Sequence, residues 1–308
     1  MVALNRAAEG IWLAASPQWP TLSVDVLPTV GSTNAELMAR GRRGEVSPCV
    51  MMAAEQTAGR GRLGRSWLAE PGRCLTLSIG LPLALDATPG GGSALSLVVG
   101  ISAAQALKAL MPAGASAASA RDGLGLKWPN DLLWQGRKLG GILIEATAAP
   151  GLATGARWVV VGIGINVQAP QQAASWPQSA LAEAWVGVNA AHLPAHNAEA
   201  APCPDVGDVA LTLVPALLQA LPAFTQTGFA PWQPAFAQLD VLAGLDVSLS
   251  SPGSASAQQG RAQGVDGSGA LLVHTPQGQL ACTSGEVSVR AQALPSLSAL
   301  APVPPARP

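Results

Sequence analysis

Short apolar stretches of strand character alternate with stretches of helical period along most of this chain, and their order predicts its elements. "LSVDVL" (22–27) reads as a strand. "STNAELMARGRR" (32–43) reads as a helix with Ser32 or Thr33 as N-cap and Glu36 in its first turn. "CVMMAAEQ" (49–56) is a strand that runs into a loop, and "LTLSIGLP" (75–82) is the strand leaving it. After the flexible "GGGS" (90–93), residues 93–111 form a strongly apolar helix. "LGLKWPNDLLW" and "RKLGGILIEA" pair as a hairpin with Gln135 and Gly136 at the turn. "RWVVVGIGINV" (157–167) is apolar without a break, as a buried strand should be. Residues 168–205, rich in Ala, Pro and Gln, lose periodicity and read as an irregular insertion. Residues 208–224 are helical in pattern, with Pro215 and Pro222 expected to kink or interrupt the helix. From about residue 240, short strands separated by turn residues predict a small β-barrel of about fifty residues. The Pro-rich stretch 293–308 is expected to be a disordered tail. No internal repeat is visible.

Composition narrows the function. The 308 residues carry 17 Lys plus Arg, 18 Asp plus Glu and a net charge of −1, with 49% hydrophobic and 11% charged residues. A pI near 6.3 argues against a general nucleic-acid binder. Cys49, Cys74, Cys203 and Cys282 lack metal spacing and read as reduced thiols. His192 and His196 flank Pro194 and read as loop residues, which leaves His274 as the third histidine. No apolar run approaches the ~20 residues of a membrane span, and "IWLAA" is too short for a signal peptide. The expectation is a soluble cytoplasmic protein.

Against this charge-poor background, "AGRGRLGRSW" (58–67) places Arg60, Arg62 and Arg65 among Gly59, Gly61 and Gly64. Glycines let backbone N–H groups face an anion, and guanidinium forks match phosphate or carboxylate oxygens. The stretch reads as an anion-binding loop, or else as a solvated surface loop; its spacing matches neither the phosphate loop nor GxGxxG. In "KWPNDLLW" (127–134), Pro129 ends or bulges the strand and exposes Asn130 and Asp131 beside Lys127. That suits charge stabilisation at a phosphoryl group, or a plain hairpin end with a surface Lys–Asp pair. In "GRKLGGILIE" (136–145), Lys138 sits near Gly140 and Gly141, whose pairing points to close approach of a ligand or another backbone. In "GIGINV" (162–167), Gly162 and Gly164 leave one strand face bare for a planar group, and Asn166 offers a donor and an acceptor for an adenine edge.

These motifs occur in one order: "STN" (32–34), "EQTAGRGRLGRSW", "KWPNDL", "RKLGGIL" and "GIGINV". The series resembles the biotin–protein ligases, over roughly residues 22–292. The resemblance implies an α+β fold, a mixed β-sheet packed with helices of the class II synthetase and biotin-ligase kind over residues 1–239. An SH3-like barrel would follow over 240–292. It implies two steps: biotin and ATP give biotinyl-5′-AMP, and a lysine of a biotin carboxyl carrier protein then takes the biotinyl group. The carrier would belong to acetyl-CoA carboxylase or a related carboxylase. By resemblance, Ser32, Thr33, Asn34 and Gln56 would line the biotin pocket. Gly59, Arg60, Gly61, Arg62, Lys138 and Gly141 would contact biotin or its carboxyl group. Arg62, Arg65, Trp67, Lys127, Asn130, Asn166 and Arg290 would bind ATP, with Mg²⁺ carried by the nucleotide and no certain protein metal ligand. Arg62, Lys127, Lys138 and Asp131 would be catalytic, Asp131 orienting Mg²⁺ or the incoming lysine. The first strand begins at residue 22, so a form without an N-terminal DNA-binding domain is expected, acting on no nucleic acid and no membrane; a homodimer stays open. A lipoate–protein ligase is the nearest alternative, and a non-enzymatic regulator the next.

Overall fold

The computed structural model describes residues 1–111, 123–168, 203–250, 257–283 and 288–291. The elements are α1 (Val2–Ala15), β1 (Ser23–Val30), α2 (Thr33–Arg42), β2 (Cys49–Gln56), β3 (Cys74–Leu83), α3 (Leu95–Ala109), β4 (Leu124–Lys127) and β5 (Asp131–Trp134). They continue with β6 (Arg137–Thr147), β7 (Arg157–Asn166), α4 (Val206–Thr227), α5 (Gln233–Ala237), β8 (Asp246–Ser250), β9 (Gln258–Val265), β10 (Leu271–Thr275), β11 (Gly278–Cys282) and β12 (Ser288–Ala291). Seven strands make one mixed sheet in the order β1-β2-β3-β7-β6-β5-β4. Only β1 and β2 run parallel; the other neighbours are antiparallel.

The pleat sorts the side chains. On β3 and β7, Leu75, Leu77, Ile79, Leu81, Val159, Val161, Ile163 and Ile165 join one large core with α1, α3 and α4. The alternate positions face α2, where Leu37, Met38, Met51, Trp158 and Val160 form a smaller core. Gly41 and Gly80 make room for the Trp158 indole, whose Nε1 donates to the Leu37 carbonyl at 2.9 Å. Further along that same face the residues become Thr76, Ser78, Gly162, Gly164 and Asn166, so the sheet carries a polar and side-chain-poor patch toward the N-terminus of α2. Ser32 caps that helix by accepting from the Ala35 N–H at 3.4 Å. The β5–β6 turn has positive φ at Gln135 (49°) and Gly136 (73°), the backbone a two-residue hairpin turn requires.

Two expectations need correction. The C-terminal strands do not close into a barrel. They form an open five-stranded sheet, β11-β10-β9-β8-β12, with β11 and β12 as unpaired edges among the described residues. Closure is not needed to cover the apolar face: Val247, Leu249, Val265, Leu271, Val273 and Val289 join the main core. Trp128 Nε1 donates to the Gly269 carbonyl at 3.1 Å and Gln233 Nε2 to the Val265 carbonyl at 2.7 Å, docking the sheet onto the first domain. Second, α4 runs unbroken for 22 residues through Pro215 and Pro222. Its buried stripe, including Leu213, Leu217, Leu221 and Phe224, and the Asp205–Asp208 capping box outweigh the two lost backbone bonds. Ahead of β1, Val2–Ala15 form the helix α1, packed on α4 by Leu4, Ala7, Ile11 and Ala15. Segments 92–109 and 206–227 have the length and apolarity of membrane spans, yet both lie largely inside the core. Nearly all of the 168–205 insertion, with His192 and His196, and all of the tail lie outside the described residues. All four cysteines are free.

Candidate active site

A cavity of about 750 Å³ opens between the N-terminus of α2, the loop after β2, the ends of β3, β5, β6 and β7, and strand β12. Its closed end is polar and buried. Gln56 Oε1 accepts from the Thr33 backbone N–H at 2.8 Å and from Thr33 Oγ1 at 3.1 Å. Ser78 Oγ lies 2.7 Å from Thr33 Oγ1 and 2.6 Å from Asn34 Oδ1. Asn34 Nδ2 donates to Glu145 Oε2 at 3.0 Å and to the Leu143 carbonyl at 3.3 Å. A side chain at Gly162 would collide with the Asn34 amide, so the bare strand face seen in "GIGINV" is where Asn34 sits. Serine, threonine and asparagine are buried here because the strand pleat aims positions 76, 78 and 162 at the helix start, and each polar group finds a partner.

The open end is cationic. Among the described residues, Arg60, Arg62, Arg65, Lys127, Lys138 and Arg290 line the cavity, against one lining carboxylate, Asp131. Six cations drawn from a chain of net charge −1 select an anionic ligand. Lys138 Nζ pairs with Asp131 Oδ1 at 2.6 Å. Arg62 donates to Asn130 Oδ1 at 3.0 Å, and Asn130 Nδ2 donates to the Ile142 carbonyl at 2.9 Å. Burial pushes the Arg62 guanidinium below its usual range, Asp131 opposes that and Arg65 adds to it. An anion between these groups would relieve both the desolvation and the repulsion.

The loop is a small closed turn. Trp67 N–H donates to the Gly59 carbonyl at 2.9 Å, Gly61 N–H to the Arg65 carbonyl at 2.7 Å, and Arg65 N–H to the Arg62 carbonyl at 3.1 Å. Leu63 and Gly64 reverse the chain with positive φ of 55° and 71°. The indole of Trp67 lies over the backbone at Gly164 and Gly141, which pair across β7 and β6; a side chain at Gly164 would strike it. Arg60 reaches Glu145 Oε1 at 3.5 Å.

The structure gathers Ser32, Thr33, Asn34, Gln56, Arg60, Gly61, Arg62, Arg65, Trp67, Lys127, Asn130, Asp131, Lys138, Gly141 and Arg290 on one cavity. Arg290 arrives on β12, from the far end of the chain. Two residues expected from the sequence lie off it. Gly59 is buried beneath the loop, where a side chain would strike the Trp67 carbonyl. Asn166 is buried, with its Nδ2 donating to the Lys138 carbonyl at 3.4 Å. Sequence reading missed Thr76, Ser78 and Glu145. The signal for the first two was present: small or polar residues at 76, 78 and 80 alternate with leucine and isoleucine along "LTLSIGLP". Cys74 lies nearby, but burial pushes its thiol up to about 12, so it supplies no thiolate nucleophile near neutral pH.

Residues 32–166 match the model of the biotin/lipoate A/B protein ligase family, and residues 252–290 match that of the biotin protein ligase C-terminal domain. The chain is 34% identical to the bifunctional ligase/repressor BirA of Escherichia coli over 269 residues, 87% of this chain and 74% of BirA. It is 30% identical to the biotin–[acetyl-CoA-carboxylase] ligase of Paracoccus denitrificans over 264 residues, 85% of this chain and 98% of that protein. The biotin protein ligase from Aquifex aeolicus, solved in complex with biotin and ATP, shares the fold at a TM-score of 0.64 and 24% identity. That match covers 87% of this chain and 99% of the other.

Proposed function

The chain belongs to the biotin protein ligase family, and from that premise we propose that its cavity makes biotinyl-5′-AMP and passes the biotinyl group to a carrier-protein lysine. ATP-dependent attachment of biotin to a carrier lysine is the activity of the family. One observation carries the reading further: a buried hydrogen-bonding cluster and a six-cation rim share a single cavity. Biotin has the matching shape, with a neutral cyclic urea at one end and a carboxylate at the other.

In the first step the carboxylate oxygen attacks the α-phosphorus of ATP. A C–O–P linkage forms, the bond from the α-phosphorus to the bridging oxygen breaks, and pyrophosphate leaves. No proton moves, and the difficulty is to bring two anions together. Lys138 and Arg62, held by Asp131 and Asn130, would neutralise the carboxylate and the α-phosphate as they approach. Lys127, Arg65 and Arg290 would face the remaining phosphates. Mg²⁺ would come with the ATP; Asp131, the one lining carboxylate among the described residues, is engaged by Lys138, so phosphate oxygens and water would hold most of the ion. Reading of adenine by Asn166 would require its amide to leave the Lys138 carbonyl.

In the second step the carrier amine attacks the acyl carbon. A C–N bond forms, the acyl C–O bond breaks, AMP leaves and the nitrogen sheds a proton to solvent. Asp131 would orient that amine. The arginine loop and Trp67 would keep water from the anhydride until it arrives. The natural acceptor we propose is the biotin carboxyl carrier protein of acetyl-CoA carboxylase or of a related biotin-dependent carboxylase. Mass spectrometry of a purified apo-carrier domain incubated with this protein, ATP and biotin should show one added biotinyl group. Pyrophosphate release driven by lipoate or octanoate as well as by biotin would overturn the substrate assignment.

A further inference from the structure

We infer that Glu145 is a positioning residue that sets the hydrogen-bond polarity of the closed end of the cavity, so that it accepts from the N–H groups of a cyclic urea. The inference rests on the biotin reading above. Glu145 does not line the cavity; it acts through Asn34.

An asparagine amide can face either way, and its surroundings decide which. Here both groups opposite Asn34 Nδ2 are pure acceptors, Glu145 Oε2 at 3.0 Å and the Leu143 carbonyl at 3.3 Å. Asn34 Oδ1 is thereby turned to Ser78 Oγ, 2.6 Å away. Ser78 is fully buried, has one hydrogen, and has two acceptors within reach, Asn34 Oδ1 and Thr33 Oγ1. With that hydrogen committed to Asn34, Thr33 Oγ1 need not accept from Ser78. Its own hydrogen has an acceptor in Gln56 Oε1, whose orientation the Thr33 backbone N–H independently fixes. The hydroxyl hydrogens are thus held inside the protein, and the Thr33 lone pairs are left for the cavity. If the Asn34 amide turned over, Nδ2 would donate to Ser78, Ser78 would donate to Thr33, and one of the two Thr33 lone pairs offered to the ligand would be taken.

Glu145 Oε1 also meets Arg60 of the arginine loop at 3.5 Å, so one carboxylate touches both ends of the site. The two contacts can be separated by exchange. In Glu145→Gln the one remaining oxygen stays with the Arg60 cation, so the NH2 meets Asn34 Nδ2, and the charge facing Arg60 is lost. Asn34→Asp sets two carboxylates against each other. The double variant Glu145→Gln/Asn34→Asp restores a donor–acceptor pair and keeps an acceptor on Ser78, but it does not restore the charge facing Arg60.

The test is biotin-dependent pyrophosphate exchange, with thermal melting of each variant. Glu145→Gln should raise KM for biotin about tenfold with kcat within about twofold. Asn34→Asp should raise it further, and the double variant should recover most of the loss. An unchanged KM in Glu145→Gln, a double variant no better than Asn34→Asp, or a Glu145→Gln protein that no longer melts cooperatively would each overturn the inference. If the unsubstituted protein shows no biotin-dependent exchange, the functional reading itself fails, which is a separate result.

Discussion

The two ends of the cavity are built by different means. At the closed end, Thr33, Asn34, Ser78 and Gln56 are locked by side-chain hydrogen bonds between 2.6 and 3.3 Å, on a helix start and on sheet strands. Folding alone creates that geometry. At the open end, the arginine loop holds itself by backbone bonds, with Arg60 and Leu63 about half exposed. Fixing its glycines costs about 1–2 kcal/mol per residue in backbone entropy, and clustered guanidinium groups repel until an anion joins them. On the function proposed above, one end would recognise a neutral head, and the other would gain order and stability from the charge it binds.

Substitutions at the two ends should therefore separate binding from stability. The largest effect is expected at Lys138. Removing a cation aimed at developing charge costs about 3–4 kcal/mol, so Lys138→Ala should slow adenylation by about 10²–10³-fold. A pyrophosphate-release rate within tenfold of the unsubstituted protein would make Lys138 merely the structural partner of Asp131. Arg62→Ala should cost about 1.5–3 kcal/mol in adenylate affinity while leaving the ligand-free melting temperature unchanged. Calorimetry and melting curves check both halves, and a large drop in ligand-free stability would show that the loop is structural.

The closed end should behave in the opposite way. Gly162→Val forces a side chain into Asn34 and should cost about 1–3 kcal/mol of stability together with biotin affinity. Gly61→Ala in the loop meets nothing nearer than the Arg65 carbonyl at 3.4 Å and should leave stability nearly unchanged. Equal destabilisation by the two would erase the distinction between the ends.

Asp240 lies away from both ends, on the connection to the C-terminal sheet, bridged to Leu126 of β4. Burial pushes its carboxyl up to about 6. The folded protein therefore binds this proton more tightly than the unfolded chain does. The associated stability is complete below about pH 4 and is lost as pH rises through about 6, on the order of 1–3 kcal/mol. Asp240→Asn should raise the melting temperature at pH 8, flatten this part of the pH profile, and leave biotin affinity unchanged. An Asp240→Asn protein less stable at pH 8 would mean that the charged carboxylate holds the connection.

Local features were legible where one residue's neighbours in sequence decide the outcome. The apolar run 49–56 coincides with β2, and Ser32 caps α2 as its side chain requires. α1 was not legible, because its buried stripe is weakly apolar, with alanines at positions 7 and 15. The arginine loop and the KWPNDL turn were legible as charged motifs, whereas Ser78 and Glu145 were not. The alternation of Thr76 and Ser78 with apolar neighbours marks a polar strand face, but Ser78 and Glu145 acquire their roles only from what the sheet sets opposite them.

By itself, then, the order of residues determined the strands, the first caps and turns, and the chemistry of the cationic rim. These depend on backbone preference, on apolar period and on charge. Tertiary structure decided the rest. β12 brings Val289 and Arg290 to a cavity whose other described lining residues stand more than 120 positions earlier. The C-terminal sheet stays open because a core outside it covers its apolar face. The direction of the Asn34 amide is chosen by Glu145, 111 residues away in sequence. Such outcomes turn on which surfaces meet, and a chain shows that only after it has folded.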